Sequence, residues 1–356
     1  MATTLLDDRR AVTDPAGLSR IPLRPQPITA PLVSIRLRPG DEPLVTPGER
    51  VSVGDPLLRR QRHPQVAEQP LRARSASALA PGTRFGEGAE LGGPGRRTLR
   101  YEGAGEVLYA TPSGRLRAVV ARHHAVVASP VTGTVRSLDP CALVVHAEGS
   151  ALPAALAVGE PSHGTLAVAV DGPDAELHAN RIDVRHAGAV LVAGSRVDIE
   201  GLTRARAMGV RGVIVGGVIG GDVVALRASI ERQDASVHAS PSFALIVLDG
   251  YGKRPVPRWT WDALVAAAGQ EVGLGITPPQ ILLEPGAGLP AVDPLRVRVT
   301  AGPLLGRTGR FVRLLARRRR PAGVHLECAL IDLDPVTLPG VAEQVEVPLA
   351  DLERDG

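Results

Sequence analysis

The chain has 356 residues, 41 basic and 37 acidic side chains (net charge +4 at pH 7), 44% hydrophobic residues and only 2% aromatic ones. That length allows two or three domains, and the apolar fraction is that of an ordinary globular protein. The two cysteines, Cys141 and Cys328, stand far apart in apolar runs; they exclude a disulfide framework and a cysteine-based metal spacing, and two buried free thiols in a reducing compartment are expected.

With so few rings, Val, Leu, Ala and Ile must build the cores, and 40 glycines with 32 prolines mark many turns between short strands. Lys253 is the only lysine. Arginine suits bidentate contacts to phosphate and carboxylate, although Arg, Ala, Gly and Pro rising together fit a coding sequence rich in G and C. Residues 1–20 contain Asp7, Asp8, Arg9 and Arg10 and no apolar core, unlike a signal peptide. The longest apolar stretch, 213–219, is far below the ~20 residues of a membrane span. The expectation is a cytoplasmic protein with no transmembrane segment.

Residues 1–25 read as a flexible tail. From 26 to 150, strand-like runs at 31–37, 43–45 and 51–58 are joined by turns at Pro47-Gly48 and Gly54-Asp55. The stretch 60–98 holds Arg59 at its border, then Arg60, Arg62, Arg72, Arg74, Arg84, Arg96 and Arg97 among Gly, Ser, Pro and Ala, with no sustained period; it reads as a long, partly disordered insertion. Order resumes at 106–110, 116–120 and 125–135, followed by 142–146.

The segments Val45…Pro47-Gly48-Glu49-Arg50-Val51…Gly54-Asp55-Pro56-Leu57 and Ser129-Pro130-Val131-Thr132-Gly133-Thr134-Val135 together resemble a barrel-sandwich hybrid, the fold of lipoyl and biotinyl domains. The N-terminal part of the C-type subunit of Rnf electron-transport complexes is similar, with an Ile-Pro-Leu…Ala-Pro lead-in that here is Ile21-Pro22-Leu23 and Ala30-Pro31. The resemblance covers about a quarter of the chain. Lipoyl and biotinyl carriers need a lysine at a hairpin tip, and Lys253 lies far outside this region, so no lipoyl or biotin group is expected. No cysteine cluster for an iron–sulfur centre exists either. The expectation is that the chain carries no cofactor and no metal.

Between 160 and 285 the period changes. Strand-like 165–170 and 187–193 precede a helical pattern at 198–208 with Ile199, Leu202, Ala205 and Met208 on one face. An apolar strand at 211–215, a helix at 223–231, a strand at 243–248, a helix at 261–268 and a strand at 281–283 follow. Apolar strands alternating with helices indicate a small parallel α/β domain covered on both faces. The run from Ala205 to Gly217 resembles the helix–strand unit of DRTGG regulatory domains. Ligands of such sheets bind beyond the carboxyl ends of the strands, which makes Gly194, Ser195, Gly216, Gly217, Asp249, Gly250 and Tyr251 the candidate ligand-binding residues. Glycine turns leading into helices present backbone N–H groups to an anion, but the Gly216–Gly221 run fits neither the Rossmann nor the Walker fingerprint.

From 290 to 356, Leu295-Arg296-Val297-Arg298-Val299 alternates, and Gly302-Pro303-Leu304-Leu305-Gly306-Arg307-Thr308-Gly309-Arg310-Phe311-Val312 resembles the KOW motif. With strands at 324–330 and 345–349 it implies an SH3-like barrel of the kind that contacts RNA or protein in transcription factors and ribosomal proteins. Arg307, Arg310, Arg313 and the run Arg317, Arg318, Arg319 and Arg320, placed on a barrel loop, are the candidate nucleic-acid or partner-binding residues. Base stacking needs aromatic rings, and Phe311 alone is at hand. No nucleophile elbow or metalloprotease signature appears. The reading is a β-rich multidomain protein with a central α/β segment: a non-catalytic adaptor binding a protein complex or RNA. A regulator taking a small anionic ligand, and an unrecognised enzyme, are the alternatives.

Overall fold

The computed structural model describes residues 20–21, 27–38, 41–70, 80–86, 90–91, 99–100, 105–110, 115–234, 241–286, 289, 295–319, 323–335 and 343–354. It is β-rich, with several sheets and few helices. No helix among the described residues is long and apolar enough to cross a membrane.

In the N-terminal third, β1 (Ile28–Thr29), β2 (Leu32–Arg36), β3 (Glu42–Pro43), β4 (Arg50–Val51) and β5 (Pro56–Pro70) are followed by the short β6 (Arg84–Phe85), β7 (Glu90–Leu91) and β8 (Leu99–Arg100). Then come β9 (Gly105–Ala110), β10 (Arg115–Ala128), β11 (Gly133–Leu138) and β12 (Ala142–Ala147). A sheet ordered β2-β12-β11-β4 and another ordered β3-β5-β10-β9-β6 enclose one core, built on Val33, Ile35, Leu57, Leu58, Val135, Leu143 and Val145. The local chemistry of the two turns sets this up. Glu49 accepts the amide of Thr46 at 2.9 Å and Asp55 that of Ser52 at 2.7 Å, with Gly48 at φ +90° and Gly54 at φ +86°, backbone that glycine adopts without steric cost. Each turn then stitches to the other half: Gly48 N–H donates to Val135 O and Gly54 N–H to Ser129 O, at 2.8 and 2.9 Å.

The stretch from 60 to 70 is not irregular. It is the outer half of β5, paired antiparallel with β10 from Pro56–Ala128 to Pro70–Arg115, an arm ~50 Å long at ~3.3 Å per residue. β3 covers β5 only at Leu58 and Arg59, so Pro64, which has no N–H to give, sits where the second edge is open. A local window misses this strand because its partner lies dozens of residues away in sequence, Pro70 pairing with Arg115 and Pro56 with Ala128. The expected insertion between 71 and 98 falls largely outside the described residues.

The middle of the chain forms β13 (Ser150–Pro153), β14 (Leu156–Gly159), β15 (Ser162–Val168), β16 (Glu176–Leu177), β17 (Ala189–Val192), β18 (Arg196–Val197) and α1 (Ile199–Ala207). It continues through β19 (Gly212–Val215), α2 (Gly220–Asp234), β20 (Ala244–Val247), α3 (Arg258–Ala266), β21 (Glu271–Gly275) and β22 (Gln280–Leu283). A nine-stranded sheet runs β1-β13-β22-β21-β15-β17-β19-β20-β14. Only β15, β17, β19 and β20 are parallel; β14 on one side and β21, β22, β13 and β1 on the other are antiparallel. The purely parallel expectation is corrected to a mixed sheet. β21 escapes a hydropathy reading because two of its five residues are glycines, one of which, Gly273, lies so close to Pro130 O that a Cβ would collide with it.

α1 follows from its ends. Asp198 accepts the Gly201 amide at 2.8 Å as N-cap, and Gly209 at φ +78° closes the helix. Val210 N–H then reaches Ala205 O and Gly209 N–H reaches Arg206 O, the two bonds of a Schellman ending. α1 buries Leu202 and Ala205 and packs on α2. β17, β19 and β20 are buried at every residue, as strands covered on both faces must be.

The C-terminal part comprises β23 (Arg296–Val299), β24 (Thr308–Arg319), β25 (His325–Leu333), β26 (Glu343–Pro348) and β27 (Leu352–Arg354) in an antiparallel sheet ordered β26-β25-β24-β23-β27. A 3-10 turn, Leu349–Asp351, carries the chain back to pair with β23. Val297, Val299, Phe311, Ala329, Ile331, Leu333 and Val347 form the core, and Ile21, read from sequence as part of a tail, is buried among them beside an Arg20–Glu327 ion pair. Cys328 is buried, but Cys141 is exposed, against expectation: Asp139 accepts the amides of Cys141 and Ala142 at 2.8 and 2.9 Å, which puts Cys141 on a turn.

Candidate functional site

The carboxyl ends of the parallel strands bring Gly194, Ser195, Gly216, Gly217, Asp249 and Gly250 together, and the chain itself fills the space between them. Gly216 N–H donates to Gly194 O at 2.7 Å and Gly217 N–H to Ser195 O at 3.2 Å. Ser195 Oγ donates to Asp174 O at 2.7 Å. A Cβ on Gly216 would strike Arg254 O and one on Gly217 would strike Gly252 O. Gly216 and Gly217 therefore serve a close backbone approach by the 249–256 loop, and their amides, expected to face an anion, are already bonded. Gly250, at φ +93°, accepts from Val218 N–H at 3.1 Å. Tyr251 is exposed at the rim beside Gly220.

Asp249 is committed to the C-terminal sheet. Arg298, whose side chain is fully buried, donates to Asp249 at 2.6 and 3.2 Å and to Glu353 at 3.1 Å, while Arg254 lies 3.4 Å from Asp249. The same contact is tightened at Gly306, φ +82°, where a Cβ would meet the Pro255 ring. The C-terminal sheet thus covers part of the strand-end mouth. Simple alternation in 295–299 places Arg298 toward solvent; it is instead buried because a second unit lies over that face.

A comparable network stands on the opposite side of the sheet. Arg60, at the root of the arm, donates to Asp41 at 2.9 Å, to Arg36 O at 2.7 Å and to Glu160, which also pairs with Arg38. Sequence reading found none of these partners, since their separations run from 19 to 122 residues.

The arginines of the C-terminal region divide. Arg307 is half-buried and donates to Asp334 O at 3.0 Å. Arg310 stands opposite Asp332 in the ladder. Arg318 lies 3.5 Å from Glu346. Arg313, Arg317 and Arg319 are exposed and carry no ion pair among the described residues. Arg320 lies outside the described residues. Arg317, Arg318 and Arg319 are the end of β24, not a loop as expected: Arg318 and Arg319 pair with Leu326 and His325 after a register shift that leaves Arg317 in a bulge, and that bulge hides the strand period. Exposed Val324 and Leu326 lie beside them, whereas Phe311 is 2% exposed in the core.

Two ionisable clusters stand apart. Lys253 donates to Glu176 at 2.7 Å and holds its carboxyl below the usual value, with burial opposing and Arg196 and His178 adding. The Asp183 carboxyl, bonded by Arg185 and capping a 3-10 turn, is lowered to about 2. No protein-family model and no curated protein matches the chain.

Proposed function

We propose that the chain is a non-catalytic adaptor that docks an acidic protein surface on the β24–β25 hairpin. In this reading the two-sheet N-terminal unit is a barrel-sandwich hybrid and the C-terminal sheet an SH3-like barrel of KOW type. The shared core of the two N-terminal sheets and the return of β27 to β23 through a 3-10 turn support those assignments.

The observation that carries the proposal is the contrast between used and unused charge. At the strand ends, Asp249 and the amides of Gly216 and Gly217 are spent on internal bonds. On the hairpin, Arg313, Arg317 and Arg319 are exposed without ion pairs among the described residues, and Val324 and Leu326 are exposed on the same hairpin. Guanidinium groups flanked by aliphatic surface suit carboxylate-bearing protein. Single-stranded nucleic acid favours aromatic platforms; the hairpin's Phe311 is buried, which leaves the exposed His325 as the ring at its surface among the described residues.

The test is affinity capture with the tagged full-length protein from its native lysate at low and high salt, beside the R313S/R317S/R319S variant. A stoichiometric protein recovered by the wild type and lost by the variant supports the reading. Salt-sensitive RNA recovered in its place turns it into a nucleic-acid function, and identical recoveries by both proteins remove the hairpin from the interface.

A further inference from the structure

We propose that the rim of the strand-end mouth holds a small phosphate-type anion between Arg196, Lys253 and His178, with Glu176 as the carboxylate it displaces. The mouth itself is sealed by backbone of the 249–256 loop, and this cluster lies at its edge, with Lys253 carried on that loop. β16 and β18 are a two-residue parallel ladder in which Glu176 stands beside Arg196. Strand period puts His178 on the same face as Glu176, and the 249–256 loop brings Lys253 to within 2.7 Å of Glu176. Three basic groups thus surround one carboxylate, and even with a neutral histidine the cluster carries a surplus positive charge.

Arg196 is the second, independent sign. Its guanidinium makes no hydrogen bond or ion pair among the described residues, and its Nε is sealed from solvent without an acceptor. A buried donor left unpaired is destabilising, so an acceptor is expected where the side chain is held in place. Lys253, by contrast, has an exposed stem that lets its ammonium swing from Glu176 to a ligand. A phosphate group offers three terminal oxygens to donors arriving from three directions, one more than a carboxylate has. Arg196 supplies the fork, Lys253 a mobile point charge and His178 a ring N–H. This site is independent of the hairpin reading, and neither depends on the other.

The experiment is calorimetric titration of the full-length protein with inorganic phosphate and, separately, with phenyl phosphate, at constant ionic strength in chloride. Saturable binding is expected, weakened ~10-fold or more in R196Q and K253Q, a loss of one charge-assisted contact each. E176Q, which removes the competing carboxylate and keeps the side-chain shape, is expected to bind several-fold more tightly. Tighter binding of phenyl phosphate than of phosphate assigns the site to a phosphorylated molecule; equal binding assigns it to the free anion. Titrations that fail to saturate with both probes, or R196Q and K253Q proteins that bind as the wild type does, overturn the proposal. If R196Q does not fold, E176Q decides alone, and unchanged or weaker binding there overturns it.

Discussion

The nine-stranded sheet is gripped at two junctions by the same device used with different stringency. Toward the N-terminal sandwich, Arg60 sits between Asp41 and Glu160, and Gly273 lets the Pro130 carbonyl lie on the sheet. Toward the C-terminal sheet, Arg298 sits between Asp249 and Glu353, and Gly306 admits the Pro255 ring. Around Arg60, the Asp41 side chain is 2% exposed and Glu160 17%, while Asp249 and Glu353 around Arg298 keep 17% and 21% of their surface. At one junction the glycine faces rigid backbone, at the other a side-chain ring that yields more easily. An arginine whose neighbours are carboxylates orients two units; Arg313, Arg317 and Arg319 of the hairpin have no such neighbour among the described residues.

Removing Arg60 therefore has the largest expected effect. R60M strips the buried Asp41 of its cation, while Glu160 keeps Arg38, and should lower unfolding stability in urea by ~3–5 kcal/mol, the usual cost of breaking a buried pair. R298M should cost less, ~2–3 kcal/mol, because its carboxylates retain water. Equal losses would erase the contrast between the junctions. G273A should cost ~1–3 kcal/mol, since the Pro130 carbonyl must move to admit a methyl group. The matching change at Gly306 should fall at the lower end of that range, although its positive φ adds some strain.

The smallest effect concerns pH. Glu176 has a folded-state value below its ordinary 4.5, set first by the Lys253 hydrogen bond. Its contribution is present above that ordinary value and is lost as the pH falls through the lower folded value. K253Q should thus be slightly less stable than wild type at neutral pH, with the gap closing in acid. The pair is partly exposed and screened, so the difference should be well under the effects above. Urea unfolding at several pH values reads it, and a gap that widens in acid would contradict the pairing.

Local chemistry was legible where it is local. The Asp198 cap, the Gly209 stop and the turns at Gly48 and Gly54 could be read from neighbouring residues, as could the buried runs of β17, β19 and β20. What distant chain determines was not. β5 looks irregular until β10 is laid beside it, β21 looks broken until Pro130 is placed on Gly273, and Arg298 looks solvent-facing until the sheet covers it. The strand-end glycines lie near one another, but their role in admitting the 249–256 backbone depends on a loop contact that composition does not encode. The Arg60 and Arg298 networks left no signal in spacing, because each joins residues from separate units.

The most direct measurement is hydrogen exchange on the full-length protein alone and with the protein partner recovered by affinity capture. The adaptor reading predicts new protection concentrated in 308–319 and 325–333, with the 249–256 loop already slow to exchange in the free protein. Protection that appears in 249–256 on binding, with the hairpin unchanged, would contradict it.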